Sequence, residues 1–418
     1  MKLLYLTHFT PTFDNYNGPS ALMFHLLTSR NKEADDLMVF STNQNSVPKD
    51  IVALSEQLLG VEINIINKSF SQRLQTSNKV AHLTSFFYKN DMPVDSRYEL
   101  SHHILEKIEA YNPDLIFLYP HNMLNVARQL STYKIIVCGP DCASLHYSRA
   151  LRDSYVYYKN DMERTVNQYL GRIKMEREWS TVSNAKLFMV GNRDAEFFNV
   201  INGNNQAVFI PHPHYKLTEK KINLKKNKIT ILVSGKYDIY TYTDITKFVD
   251  VLISLDNQEF KKQLSFTFLG KGWEPLIKKM SSFGYEVDWH RWVEDYVKFI
   301  SNFDIQLFPI SVGSGTKGKV LDALSTGLLC IGSEYAFENI AVKHERDCLI
   351  YEEVCQIPDM LMKILENRKS FENMALNGKN QVRQYHNPNK IFKTIVDWAV
   401  TDKLNIDTKE YYSLSKKS

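Results

Sequence analysis

Long apolar runs are missing from this 418-residue chain. The most continuous, such as 115–119 (Leu-Ile-Phe-Leu-Tyr) and 135–137 (Ile-Ile-Val), have the length of strands. They fall far short of the roughly 20 residues that cross a bilayer, so no membrane-spanning helix is expected. Cysteine is scarce as well. Five cysteines, an odd number scattered along the chain, fit a reducing compartment better than a disulfide framework. Cys138 and Cys142 are the only close pair, and no second pair or histidine cluster completes a metal site, so both read as buried structural thiols. There is little excess charge of either sign: 51 basic against 47 acidic side chains leave +4, far below what a nucleic-acid-binding protein carries. No Gly-x-Gly-x-x-Gly follows the first apolar run, which argues against a dinucleotide-dependent oxidoreductase. Met1-Lys2 leads straight into an apolar run that turns polar at Thr7 and His8 without a small-residue cleavage site, so a cytoplasmic address is expected.

What the chain does have is alternation. Strand-like runs at Lys2 to Thr7, Leu37 to Thr42, Val61 to Ile66, Asp114 to Tyr119, Lys134 to Val137, Lys186 to Val190 and Ala207 to Ile210 are separated by stretches of helical spacing. Ser69 to Asp95 reads as irregular. After a lysine-rich stretch the alternation restarts at Ile229 to Ser234 and continues through Ser265 to Leu269, Glu286 to Trp289, Ile305 to Pro309 and Leu328 to Ile331. Short strands alternating with helices mean βαβ units and parallel sheets. The expected class is therefore α/β with two Rossmann-like domains facing a central cleft. The boundaries predicted are an N-terminal domain over 1–211, a solvated linker over 212–228 that is free to hinge, and a C-terminal domain over 229–385. A helix over 386–401 crosses back to the first domain, and a weakly structured tail covers 402–418. Ile391, Phe392, Ile395, Val396, Trp398 and Ala399 recur at helical spacing and give that helix a wide apolar face to bury.

The segment richest in chemistry runs from Phe308 to Gly327. A strand ends at Pro309, a turn holding Gly313, Ser314 and Gly315 follows, and a helix is expected to begin near Thr316. A turn opening a helix presents backbone N–H groups at the positive end of the helix dipole, which suits a pyrophosphate. Lys317 and Lys319 add positive charge beside it. Asp322 sits within the helix, where a carboxylate accepts hydrogen bonds from two adjacent sugar hydroxyls, those of a ribose above all. On the residues alone a second reading stays open, in which the glycines only make a tight turn and Asp322 is a solvated helix residue.

The run Gly-Ser-Gly-Thr-Lys-Gly-Lys-Val-Leu-Asp-Ala-Leu-Ser-Thr-Gly, 313–327, resembles the donor-site signature of the family-four (group 1) glycosyltransferases, retaining enzymes of GT-B architecture. The resemblance implies that Asp322 binds the ribose of a nucleotide sugar and that Gly315, Thr316 and Lys317 cradle its diphosphate. The family's usual first glutamate falls at Ser314, which has no carboxylate but whose hydroxyl would still contact a sugar hydroxyl of the donor, and aspartate replaces the second. Val233-Ser234-Gly235-Lys236 resembles the strand–glycine–basic turn whose side chain meets the diphosphate. Gly235 and Lys236 would take those roles, with a surface lysine as the plainer alternative for Lys236. The second basic position of that turn is occupied by Thr241. Phe268 to Gly272 and Trp289 to Asp295 resemble the next turn and the base-binding loop, where the backbone at Val293 would read the nucleobase. Trp292 is open to two readings, a stacking residue or a buried aromatic.

In the first domain, Asn17-Gly18 matches the glycine loop that approaches the donor, so Gly18 is assigned to donor binding. Cys138-Gly139-Pro140-Asp141, with Ser144 and Tyr147, resembles the segment that faces the acceptor. Pro140 stands at the place of the family's histidine, so Asp141 alone carries a polar role over. His121 and Asn122 are further candidates, a structural role for each being the alternative. The resemblance implies transfer of a sugar from a nucleoside diphosphate sugar to a hydroxyl of a glycan or glycolipid acceptor, with retention. Lys236 and Lys319 would stabilise the leaving diphosphate. The sugar nucleotide is the donor substrate and no cofactor is implied. The Asp-x-Asp of metal-dependent sugar transferases is missing, so no metal is expected. No nucleic acid partner is expected, and a peripheral contact with the inner face of a membrane fits such relatives. The alternatives are a nucleotide-sugar epimerase of the same shape and a non-catalytic nucleotide-sugar-binding or scaffold subunit.

Overall fold

A computed structural model of the chain describes residues 1–17, 19–67, 72, 92–153, 162–204, 206–216 and 218–413. Gly18, nearly all of the stretch expected to be irregular at Ser69 to Asp95, and residues 414–418 lie outside the described residues. The chain forms two compact α/β units. One comprises Met1–Leu151, residues 162–213 and Pro388–Ile406; the other comprises His214–Asn387 and residues 407–413.

The first unit is built on seven parallel strands: β1 (Lys2–Thr7), β2 (Asp36–Ser41), β3 (Ile63–Ile65), β4 (Leu115–Tyr119), β5 (Ile135–Gly139), β6 (Ala185–Met189) and β7 (Ala207–Phe209). Their order is β3-β2-β1-β4-β5-β6-β7. Alternation along the strands sends successive side chains to opposite faces of the sheet, and both faces are covered, as an all-parallel sheet requires. Leu4, Leu6, Ile116, Leu118, Ile135 and Val137 pack into one apolar cluster. Leu3, Tyr5, Leu115, Phe117, Ile136 and Cys138 pack into the other.

The helix Pro388–Thr401 buries Ile391, Phe392, Ile395, Trp398 and Ala399 in that second cluster. Phe392 stacks on Phe117 of β4, with centroids 6.2 Å apart and planes 24° apart. Lys186 lies 5.3 Å above the Trp398 ring.

The second unit has six parallel strands: β8 (Ile229–Ser234), β9 (Leu264–Leu269), β10 (Glu286–His290), β11 (Ile305–Phe308), β12 (Leu329–Ser333) and β13 (Leu349–Tyr351). Their order is β10-β9-β8-β11-β12-β13. The direction of winding reverses between β8 and β11, and the carboxyl ends flanking such a reversal are where open parallel sheets bind ligands. β13 and the helices Ile357–Glu366 and Arg368–Tyr385 complete this unit.

Two expectations are corrected here. The stretch after Pro213 is no loose linker: Ile222 and Leu224 are buried in the second unit's core, Lys226 pairs with the buried Asp304 at 2.8 Å, and Lys220 donates to the Phe303 carbonyl. Lys220 and Lys226 thus have fixed partners, and Ile222 and Leu224 anchor the backbone. Within the tail, Tyr411 and Tyr412 are also held. Asn339 and Tyr412 exchange backbone bonds with neighbouring chain, Tyr412 N–H donating to Ile340 and Asn339 N–H donating to Tyr412, both at 2.9 Å. The Tyr411 hydroxyl donates to the Tyr385 carbonyl at 2.9 Å.

Candidate functional site

The residues assigned to the donor from the second half of the chain gather at the carboxyl ends of β8 and β11. Gly235 and Lys236 follow β8, and the turn 309–317 follows β11. The two turns are tied together: the Ser311 N–H donates to the Tyr240 carbonyl at 2.8 Å, and its hydroxyl reaches the same oxygen at 3.3 Å. Thr241, standing where a second basic residue was expected, is 6% exposed and donates its hydroxyl to the Lys236 carbonyl at 2.7 Å. Its part is to shape the turn that carries Lys236.

Glycine is demanded most strongly at Gly270, after β9. Its φ is +132°, and a Cβ there would stand 1.7 Å from the Gly235 carbonyl oxygen. The turns after β8, β9 and β10 can therefore lie against one another. The Trp273 indole donates to the Gly235 carbonyl at 3.0 Å, and the Trp289 indole donates to the Gly270 carbonyl at 2.8 Å. The loop resembling the base-binding segment thus sits one strand further along the same edge. Val293 is half-buried there against the apolar cluster under the site. Trp292 is 75% exposed, which corrects the reading of a buried aromatic.

Within the turn after β11, Gly313 and Gly315 have φ of +148° and +65°. Gly315 is buried, and Ser314 and Thr316 are half-buried. The helix begins at Gly318, later than expected, because Lys317 has an extended ψ of 99° and serves as the N-cap residue. The Lys317 ammonium turns back onto its own loop, donating to the Ser314 and Gly315 carbonyls at 2.9 Å each. The Lys317 side chain thus helps to close the turn in which it stands.

Lys319, Asp322, Lys236 and Asp238 form one electrostatic group. The Lys319 side chain is exposed to solvent yet closely surrounded by protein. Desolvation pulls its ammonium below the ordinary lysine range; Asp322 and Asp238 oppose that shift and Lys236 reinforces it. Burial raises Asp238, against the Tyr240 N–H, Lys236 and Lys319, which favour its charged form. Beneath them Tyr296 is held by a buried network. Gln306 donates to the Ser234 hydroxyl at 2.6 Å and to the Tyr296 hydroxyl at 3.0 Å, and those two hydroxyls lie 2.9 Å apart. Lys319 lies 5.7 Å over the Tyr296 ring. Asp238 and Tyr296 escaped the sequence reading. Neither sits in the glycine motif, and only the pairing of β8 with β11 brings them beneath it.

Asp141 belongs to the first unit, half-exposed at the end of β5. Burial holds the Tyr119 phenol well above its usual range, and the Asp141 charge adds to this. His121 and Asn122 are 4% and 9% exposed. His121 lies 3.7 Å from the fully buried Glu176, and Asn122 donates to Asp95 at 3.4 Å. Both therefore serve the interior of that unit. Burial raises the Cys138 and Cys142 thiols, and all five cysteines are unbridged. Among the described residues no cluster of His, Cys, Asp and Glu is arranged to hold a metal ion. No helix among them is long and apolar enough to cross a membrane.

Residues 228–367 match the family described as glycosyl transferases group 1. No curated protein matches the sequence. Solved structures share the fold at low identity. HepE from Anabaena, in complex with UDP, aligns with a TM-score of 0.61 and 11% identity over 95% of this chain and 99% of its own. Sucrose-phosphate synthase from Thermosynechococcus elongatus gives 0.62 and 13% over 95% and 98%. WaaG, a glycosyltransferase involved in lipopolysaccharide biosynthesis, gives 0.57 and 12% over 95% and 100%. The chain thus resembles the group 1, family-four glycosyltransferases: its second unit carries their domain, and its two parallel-sheet α/β units are those of the GT-B fold.

Proposed function

We propose that this chain is a retaining glycosyltransferase that moves a hexosyl group from a nucleoside diphosphate sugar to a hydroxyl of a glycan or glycolipid. The observation that carries the reading is the convergence of Lys236, which follows β8, with the glycine turn, Lys319 and Asp322, which follow β11, at one sheet reversal. In this reading Asp322 accepts the ribose hydroxyls. Gly235, Gly315, Thr316 and Lys317 line the diphosphate, Ser314 contacts a sugar hydroxyl, and Val293 meets the base. The donor's anomeric C–O bond to phosphate breaks, and the acceptor oxygen bonds the same carbon on the same face. Lys236 and Lys319 take up the charge that appears on the departing diphosphate, an electrostatic contribution needing no metal. Two ammonium groups here face two carboxylates, Asp238 and Asp322, so their surplus is small and the turn amides must share the load. Asp141 of the first unit is assigned to the acceptor, Gly18 to the donor loop, and the setting to the cytoplasmic face of a membrane in cell-surface polysaccharide or glycolipid assembly.

HepE was solved with UDP and also with UDP-glucose, so a uridine donor is the first to test. The protein is incubated with UDP-, GDP-, ADP- and CDP-sugars and a lipid-linked glycan extract in excess chelator, and the anomeric configuration of the product is read by NMR. Transfer with retention in chelator is expected. Isomerisation of the donor without transfer would indicate an epimerase, binding alone a non-catalytic subunit, and activity restored only by magnesium or manganese would overturn the metal-free mechanism.

A further inference from the structure

Lys319 stands where a helix disfavours a cation. It is the second residue of the helix Gly318–Thr326, in the first turn, where the helix dipole repels positive charge. Asp322 and Asp238 attract its ammonium, yet among the described residues that ammonium makes no hydrogen bond and no ion pair. It lies instead over the Tyr296 ring, 5.7 Å from the centroid, within the reach of a cation–π contact. The negative face of a ring attracts the charge without a hydrogen-bonding oxygen, so the N–H donors of the ammonium remain open to a ligand.

The ring is held at both ends. Tyr296 opens the helix Tyr296–Ile300, which Asp295 caps by accepting from the Lys298 N–H at 2.9 Å. The Tyr296 hydroxyl lies 2.9 Å from the Ser234 hydroxyl and accepts from the amide of the fully buried Gln306 at 3.0 Å. Ser234 ends β8 and Gln306 lies within β11, so the ring is fixed to the two strands that flank the sheet reversal. We propose that Tyr296 is a positioning residue for Lys319: it touches no substrate, and its ring face holds the ammonium at the donor site, off Asp322 and Asp238 and available to the diphosphate. Without the ring, the ammonium would close on one of those carboxylates and a ligand would have to draw it off. The inference rests on the reading of Lys319 as a diphosphate contact given above.

The test is calorimetry with whichever of UDP, GDP, ADP and CDP the wild-type protein binds tightest. Tyr296→Leu removes the ring, and Tyr296→Phe keeps it. Leu is expected to weaken binding about tenfold, the scale of a cation–π contact shielded from water, and Phe to stay near wild type. Phenylalanines of increasing fluorination placed at position 296 keep the ring and strip negative charge from its face, so affinity should fall stepwise with fluorination. A ring that merely filled space would show no such slope. In a Lys319→Met background the Leu loss and the fluorine slope should both vanish, since the group being positioned is gone. Equal losses from Leu and Phe, a flat fluorine series, or a Leu effect undiminished beside Lys319→Met would overturn the proposal. If Tyr296→Leu does not fold, the fluorine series still decides it. Failure of Lys319→Met itself to weaken binding, or of the wild type to bind any of the four, contradicts the donor-site reading. Weakening by Lys319→Met with none from Tyr296→Leu removes the positioning role alone.

Discussion

The backbone N–H of His214 donates to the backbone carbonyl of His386 at 2.7 Å. These residues stand at the two places where the chain passes from one unit to the other, between Pro213 and His214 and between Asn387 and Pro388. The two passages are thus tied side by side within the second unit. His386 is fully buried, and its Nε2 accepts from the Ala341 N–H at 3.2 Å. The segment that follows His214 is likewise fixed to the second unit, through Lys220 and Lys226.

Lys220 supplies a pH-dependent check of that claim. Desolvation lowers its ammonium from 10.5 to about 8, with Asp304 opposing and Lys226 reinforcing the shift. Below about pH 8 both folded and unfolded chains hold the proton, and the desolvation cost is fully present. Between about 8 and 10.5 the folded chain has released a proton that the unfolded chain keeps, so stability rises with pH. Urea denaturation across this window should show the rise in the wild type and a flatter profile in Lys220→Met. Identical profiles would mean that Lys220 is solvated.

Gly270→Ala should be costly out of proportion to one methyl group. The new Cβ meets backbone at 1.7 Å and the φ of +132° is closed to alanine, so a loss of about 3 kcal/mol is expected in thermal or urea unfolding. The Gly235–Lys236 turn should shift with it and nucleotide affinity should fall. A variant as stable as wild type would show that these turns are not packed as described.

Trp398→Ala tests the last helix. The indole is 6% exposed in the first unit's core, so its loss should cost about 3–5 kcal/mol, with Val400→Ala, at 59% exposure, as the near-neutral control. Equal effects of the two would place the helix on the surface.

Periodicity made most of the architecture legible. β1 is found at Lys2–Thr7 and β8 at Ile229–Ser234, where uninterrupted apolar runs leave no competing structure, and the apolar face of 388–401 is buried as its spacing requires. Around the site, a local glycine motif pointed to Gly315 and Asp322. His214 was hidden for a different reason. Pro211-His212-Pro213-His214 beside many lysines reads as solvated chain, and only the tertiary fold carries that histidine beneath a helix more than a hundred residues away.

The most direct test of the account is the affinity of Asp322→Ala for the nucleoside diphosphates. Calorimetry with UDP, GDP, ADP and CDP should find one that the wild type binds, and the variant should bind it more weakly by about 1.5–3 kcal/mol, as expected for a charged group accepting hydrogen bonds. Its melting transition without ligand should change little, because the carboxylate lies at the rim of the fold and is partly exposed. Undiminished affinity in a folded Asp322→Ala protein would contradict the donor site described here.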